Sequence, residues 1–222
     1  MIYKTRGVVL SFTRYGESSI IVSIFTELFG VQSYITNGIR SKRAKSKMAL
    51  FQPLTLLELV VYHRENANIN RLKEVKCFHP YHSIQSDIVK SSVAMFVGEV
   101  LYKTIRNESH PQPLGEFIIT SLVTLDTLTS NAENFHLIFL IKLSRFLGFG
   151  AQTVNEILGW RVTDPLIEAL LGKMLRADYT TPLAMTNVQR REVLDLLIKY
   201  WNDHTGMLGD MKSIQVLREI LL

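Results

Sequence analysis

The 222-residue chain has a single cysteine, Cys77. One thiol cannot close an internal disulfide, so an oxidising compartment gives this fold no advantage. Long hydrophobic runs are also missing. The most apolar stretches, Leu54–Tyr62 and Phe135–Leu143, are too short or too interrupted to cross a bilayer. The opening Met1-Ile2-Tyr3-Lys4-Thr5-Arg6 lacks the long apolar core of a signal peptide. A soluble cytoplasmic protein with no membrane partner is the expectation. Catalytic signatures are absent too. The six histidines form no HExxH-type pair, and His79 and His82 flank Pro80-Tyr81 in what reads as a hinge rather than a metal site. There is no nucleophile elbow, no phosphate-binding Gly-x-x-x-x-Gly-Lys-Ser/Thr, and no acidic cluster of the two-metal nuclease kind. The chain reads as a non-enzyme without a cofactor.

Acids are scarce in the first third. From Met1 to Pro80 there are 12 Lys and Arg against 5 Asp and Glu, a net +7, whereas the remainder carries −2. Two modules are implied, of which only the first faces a polyanion. The asymmetry peaks in Asn37-Gly38-Ile39-Arg40-Ser41-Lys42-Arg43-Ala44-Lys45-Ser46-Lys47, with five cations and no acid. Like charges held this close repel, and a polyanion compensates by exchanging its condensed counterions for them. A solvated loop that only maintains solubility is the alternative reading.

The flanking pattern is β. Residues 3–14 alternate, with Lys4, Arg6, Val8, Leu10, Phe12 and Arg14 placed on one face and Gly7 as an interruption where a barrel bends or bulges. Tyr15–Ser18 is turn chemistry. Ser19–Thr26, Val31–Thr36, Leu54–Tyr62 and Ile69–Phe78 follow as strands, with a short helix over Lys45–Leu50. Five short strands in about 80 residues fit a closed Greek-key barrel such as the OB-fold, with an SH3-like or split barrel left open. From Asp87 the period becomes helical, as in Val89, Val93, Phe96, Val97, Val100 and Leu101. Asp164-Pro165 and Thr186 or Asn187 start further helices. The fold class is therefore α+β with two domains: residues 1–80 a small β-barrel, and residues 81–222 an α-helical bundle.

Lys4-Thr5-Arg6-Gly7-Val8-Val9-Leu10, Tyr15-Gly16-Glu17-Ser18, Asn37-Gly38-Ile39-Arg40-Ser41-Lys42 and Leu50-Phe51-Gln52-Pro53-Leu54-Thr55-Leu56-Leu57-Glu58-Leu59 resemble, in order and spacing, the bacterial recombination mediator family RecO. Leu143-Ser144-Arg145-Phe146-Leu147-Gly148-Phe149 is similar to the Leu-Gly-Tyr helix end of that family's helical domain. Many members follow it with a four-cysteine zinc site. Ala151–Arg176 has no cysteine here, so no zinc is expected, and the packing of Val154, Ile157, Leu158, Trp160 and Leu166 is expected to take its place.

The resemblance implies DNA repair and homologous recombination at the bacterial nucleoid. It implies binding of single- and double-stranded DNA, annealing of complementary strands and, with RecR, loading of RecA onto strands coated by single-strand-binding protein. Such work needs cations for phosphates and rings for bases. The candidates are Lys4, Arg6 and Arg14 on the first strand; Arg40, Lys42, Arg43, Lys45 and Lys47 in the basic segment; and Arg71 and Lys73 on the fifth strand, with Lys76 out of phase unless a bulge intervenes. Tyr15 is the favoured stacking ring, beside Tyr3 and the more core-like Tyr34. The family's helical domain receives the acidic tail of single-strand-binding protein, and Lys142, Arg145 and Phe146 could rim that site. An adaptor acting through the helical domain without DNA is the rival reading.

Overall fold

A computed structural model describes residues 1–37, 48–65, 67–105 and 111–221. The chain divides into two compact units, Met1–Tyr81 with Thr104–Val123, and His82–Lys103 with Thr124–Leu222.

In the first unit, strands β1 (Ile2–Tyr15), β2 (Ser19–Thr26), β3 (Gly30–Asn37), β4 (Leu56–Tyr62) and β5 (Asn70–Cys77) close into a barrel in the order β1-β2-β3-β5-β4. β3 and β5 run parallel and every other neighbour pair is antiparallel. This is the OB-fold arrangement. The β-branched alternation of β2 sends Ile20, Val22 and Ile24 inward, where they meet Val9, Tyr34, Leu57, Leu59 and Val61. β4 begins at Leu56 rather than Leu54. Leu54 adopts a left-handed φ of 68° after Pro53, and its N–H donates to the Val9 carbonyl at 2.8 Å. The short helix expected over Lys45–Leu50 falls largely outside the described residues; Met48 and Ala49 are helical.

Gly7 does not carry the bulge in β1. The register slips at Leu10 instead, between Val9 and Ser11. Gly7 is needed for space, because a Cβ there would lie 2.6 Å from the Phe25 carbonyl oxygen and 2.9 Å from Ile24 Cγ2. Since the nearer neighbour is backbone, Gly7→Ala should destabilise the barrel by about 1–3 kcal/mol, read as a lowered denaturation midpoint. A second close approach lets helix α2 (Pro111–Thr127) settle on the barrel, where a Cβ on Gly115 would stand 2.9 Å from Glu27 Cγ and 3.3 Å from Phe25 Cε1. Phe25 points outward by register yet is fully buried, because this contact covers it.

The second unit contains most of α1 (Ile88–Thr104), then α3 (Phe135–Phe146), α4 (Val154–Leu158), α5 (Pro165–Met174), α6 (Asn187–Thr205) and α7 (Ser213–Leu221). Helix ends follow local chemistry. Asp164 caps α5 by accepting from Leu166 N, with Pro165 at the first helical position. Thr186 and Gln189 form a reciprocal capping box on α6. The Asp126 carboxylate accepts the backbone N–H groups of His82, Ser83 and Ile84 at 2.8–3.1 Å. The buried Lys90 ammonium donates to Ser83 Oγ and to the Asp126 carbonyl. Ile157 and Leu158 are buried as expected, but Trp160 and Leu166 are not core residues. Both are exposed, because Gly159 (φ 60°) reverses the chain after α4 and Leu166 faces solvent in the first turn of α5.

Candidate nucleic-acid interface

Register around the barrel defines an outward row. Thr13 pairs with Ile21, Ile21 with Ile35, Ile35 with Arg71, Arg71 with Tyr62, and Tyr62 with Ile2. The outer positions of β2 and β3 beside it are Ser19, Ile21, Ser23, Val31, Ser33 and Ile35, all half-exposed and uncharged. Cations border this neutral face. Exposed Arg71 lies on one side, with a groove of about 740 Å³ lined by Tyr62, Arg64, Arg71 and Lys73. Arg14 and the exposed Tyr15 lie on the other, where a cleft of about 320 Å³ is lined by Arg14, Gly16, Glu17, Ser18 and Met48.

Arg40, Lys42, Arg43, Lys45 and Lys47 lie outside the described residues. The ends of their segment are fixed at the Arg14 side. Asn37 Oδ1 accepts from Ser19 Oγ at 3.0 Å, and Met48 packs against the barrel core.

Two bulges change which cations share a face. The extra residue at Leu10 inverts the alternation of β1, so Arg14 has the parity of Phe12 and of inward Ile20, not that of Lys4 and Arg6. The expected common face of Lys4, Arg6 and Arg14 is thereby corrected; Arg14 reaches solvent because it stands at the strand's end. In β5, Lys73 is the unpaired extra residue between Leu72 and Glu74. Arg71 and Lys76 thus fall in phase, and Lys73, expected to share the parity of Arg71, sits on the bulge.

The outward cations are not equally available. Arg6 makes a bidentate pair with Glu27 at 2.8 and 3.0 Å, and this bond with the carboxylate raises the guanidinium above its ordinary value. Lys76 pairs with Glu58 at 2.8 Å, and that bond holds the Glu58 carboxyl low. Lys73 has only a long contact with Glu74, at 3.8 Å. Lys4, Arg14 and Arg71 make no ion pair among the described residues. Arg6→Ala should therefore change oligonucleotide affinity less than twofold, whereas Arg71→Ala should weaken it several-fold, as measured by fluorescence anisotropy.

Among the rings, Tyr34 is wholly buried, and burial pushes its phenol up to about 12, so it serves the core. Tyr3 packs edge-on against Phe29, which stacks on His63 at 3.8 Å. Tyr15 is 55% exposed and Tyr62 43% exposed. Sequence reasoning missed Tyr62. Its signal was alternation, since inward Leu57, Leu59 and Val61 leave Glu58, Val60 and Tyr62 facing out.

On α3, Lys142, Arg145 and Phe146 occupy adjacent turns of one side. Lys142 Nζ lies 5.6 Å from the Tyr179 ring centroid, and burial pushes its ammonium down. Arg145 donates to the Leu175 carbonyl, and Phe146 is 41% exposed. No group of three or more His, Cys, Asp or Glu among the described residues could hold a metal ion, and no helix there is long and apolar enough to cross a membrane.

A closed OB barrel with an uncharged face between cationic borders, followed by a helical region, places the chain in a two-domain α+β class. Comparison with known proteins makes this specific. Residues 1–81 match the family model "Recombination protein O N terminal", and residues 85–159 match "Recombination protein O C terminal". The DNA repair protein RecO of Bacteroides fragilis is 35% identical over 240 residues, covering 99% of each chain. Its namesakes in Flavobacterium psychrophilum (33%) and Flavobacterium johnsoniae (32%) align over 234 residues and 98% of each chain. The chain belongs to the RecO family, with a role in DNA repair and recombination.

Proposed function

We propose that this chain is a recombination mediator that binds single- and double-stranded DNA through its barrel, anneals complementary strands, and with RecR helps load RecA onto strands coated by single-strand-binding protein. The observation that carries the DNA reading is the neutral β2–β3 face between Arg14 and Tyr15 on one side and Tyr62, Arg71 and Lys73 on the other. Uncharged residues accept bases without a desolvation cost for buried charge, while the bordering cations meet phosphates. By sequence, Arg40, Lys42, Arg43, Lys45 and Lys47 supply five further cations for phosphates. The β2–β3 face between the borders offers only Ser hydroxyls and aliphatic side chains rather than a paired donor–acceptor code, so affinity without sequence choice is the consequence. Lys142, Arg145 and Phe146 are the proposed seat of the single-strand-binding protein tail. Helical-domain contact with that tail and DNA contact by the barrel then act on the same coated strand.

Fluorescence anisotropy with an unstructured single-stranded oligonucleotide, at low and physiological salt, tests this reading. Binding that weakens steeply with salt is expected. No binding at low salt would overturn it in favour of an adaptor that works through the helical domain alone.

A further inference from the structure

The segment joining α4 to α5 exposes what a soluble domain ordinarily covers. Trp160 is fully exposed, Val162 is 97% exposed and Leu166 is 63% exposed. Isolated apolar residues at a surface are common, but three within seven residues, one of them a tryptophan, form a patch. The arrangement is held in place. Arg161 reaches Asp203 on α6, and Thr163 Oγ1 donates to Glu192 of the same helix at 2.7 Å. Residues 192 and 203 are about three helical turns apart, so both contacts fall on one face of α6. With Arg161 and Thr163 turned toward that helix, alternation along the extended stretch sends Trp160 and Val162 to solvent.

Charge indicates what kind of partner fits. From Gly159 to Glu168 the only cation is Arg161, and Asp203 neutralises it. Asp164 and Glu168 flank Leu166 in the same stretch. On the face of α6 that holds the segment, Lys199 acts on Asp203, but with Glu192, Asp164 and Glu168 the surround stays net negative, which disfavours nucleic acid and favours a partner's Lys or Arg. We propose that Trp160, Val162 and Leu166 form a docking surface for a partner protein that offers an apolar pocket rimmed by Lys or Arg. Trp160 is the anchor, because a ring of its size buries about 150–250 Å² and tryptophan is over-represented among residues that dominate interface energies. The two tethers to α6 fix the segment before binding, so little chain entropy is lost on docking. These residues belong to the second unit and none is shared with the barrel's DNA face, so the test does not depend on that reading.

The test uses the full chain. Trp160→p-benzoyl-phenylalanine, expressed in cells that make the protein and irradiated, should crosslink to one protein at a segment where apolar residues alternate with Lys or Arg. That protein, purified, is then titrated calorimetrically against wild type, Trp160→Ala, Trp160→Phe and Glu168→Lys. Trp160→Ala should weaken the Kd at least tenfold, Trp160→Phe should retain part of the affinity, and Glu168→Lys should weaken it several-fold at low salt. Melting temperature and oligonucleotide affinity should stay at wild-type values in Trp160→Ala. Crosslinks only to nucleic acid, only to a second copy of the chain, or no more abundant than from exposed Glu219 would overturn the proposal. A Trp160→Ala affinity within twofold of wild type would do the same.

Discussion

Replacing Arg14, Arg71 and Lys73 together by alanine should weaken single-stranded oligonucleotide binding and flatten its salt dependence. Each phosphate contact contributes about 0.7 to the slope of log affinity against log salt for a single strand, so losing three removes about 2 from it. Between 50 and 200 mM salt, wild type should then lose about 20-fold more affinity than the variant does. The three were chosen because none of them has a short ion pair: Arg14 and Arg71 make none among the described residues, and Lys73 has only the 3.8 Å contact with Glu74. An Arg6/Lys76 double variant serves as the control, since Glu27 and Glu58 already neutralise those cations. An unchanged slope in the triple variant would move the phosphate contacts off these borders.

Asp126→Ala should cost about 3–5 kcal/mol of stability, because it leaves several N–H donors without their acceptor. It strips the acceptor from the N–H groups of His82, Ser83 and Ile84 and from the Ser83 hydroxyl. Burial opposes ionisation of this carboxyl, but those N–H groups and the Ser83 hydroxyl outweigh it and hold the group down at about 2. Folded Asp126 is thus more acidic than an ordinary aspartate. Its contribution is complete above about pH 4 and fades as pH falls toward 2, a change of about 2 kcal/mol. Denaturation midpoints measured from pH 7 to pH 2 should decline more shallowly in Asp126→Asn than in wild type over that acid range. Parallel declines would mean that the carboxylate is not what fastens the 82–84 segment.

The readable parts of the chain were those governed by local rules. The β-branched run Ser19–Thr26 marked a strand, the switch to helical period at Asp87 marked the second region, and Asp164-Pro165 and Thr186 or Asn187 announced helix starts through chemistry confined to four residues. Strand count and spacing gave a small closed barrel but left an SH3-like or split barrel open, and the OB-fold was favoured over these by the family resemblance. Features that depend on pairing were hidden. The bulges at Leu10 and Lys73 are set by what lies opposite, and each inverts side-chain direction for the rest of its strand. A cation's face could not be assigned across them from sequence. Tyr62 was legible in principle, because its neighbours Leu59 and Val61 fix its parity, but it stood at the end of an apolar run and was not singled out. Trp160 was misjudged for a related reason. Hydrophobicity suggested burial, whereas the Arg161 and Thr163 tethers to α6, more than 20 residues distant along the chain, turn the ring outward.

Mapping a bound single-stranded oligonucleotide onto the full chain by backbone amide chemical-shift perturbation tests the central claim most directly. The account predicts the largest shifts at Ile21, Ser33, Ile35, Tyr62 and Arg71, continuing to Arg14 and Tyr15, with helices α3 and α6 unaffected. Shifts confined to the helical unit, with the β2–β3 face silent, would contradict it.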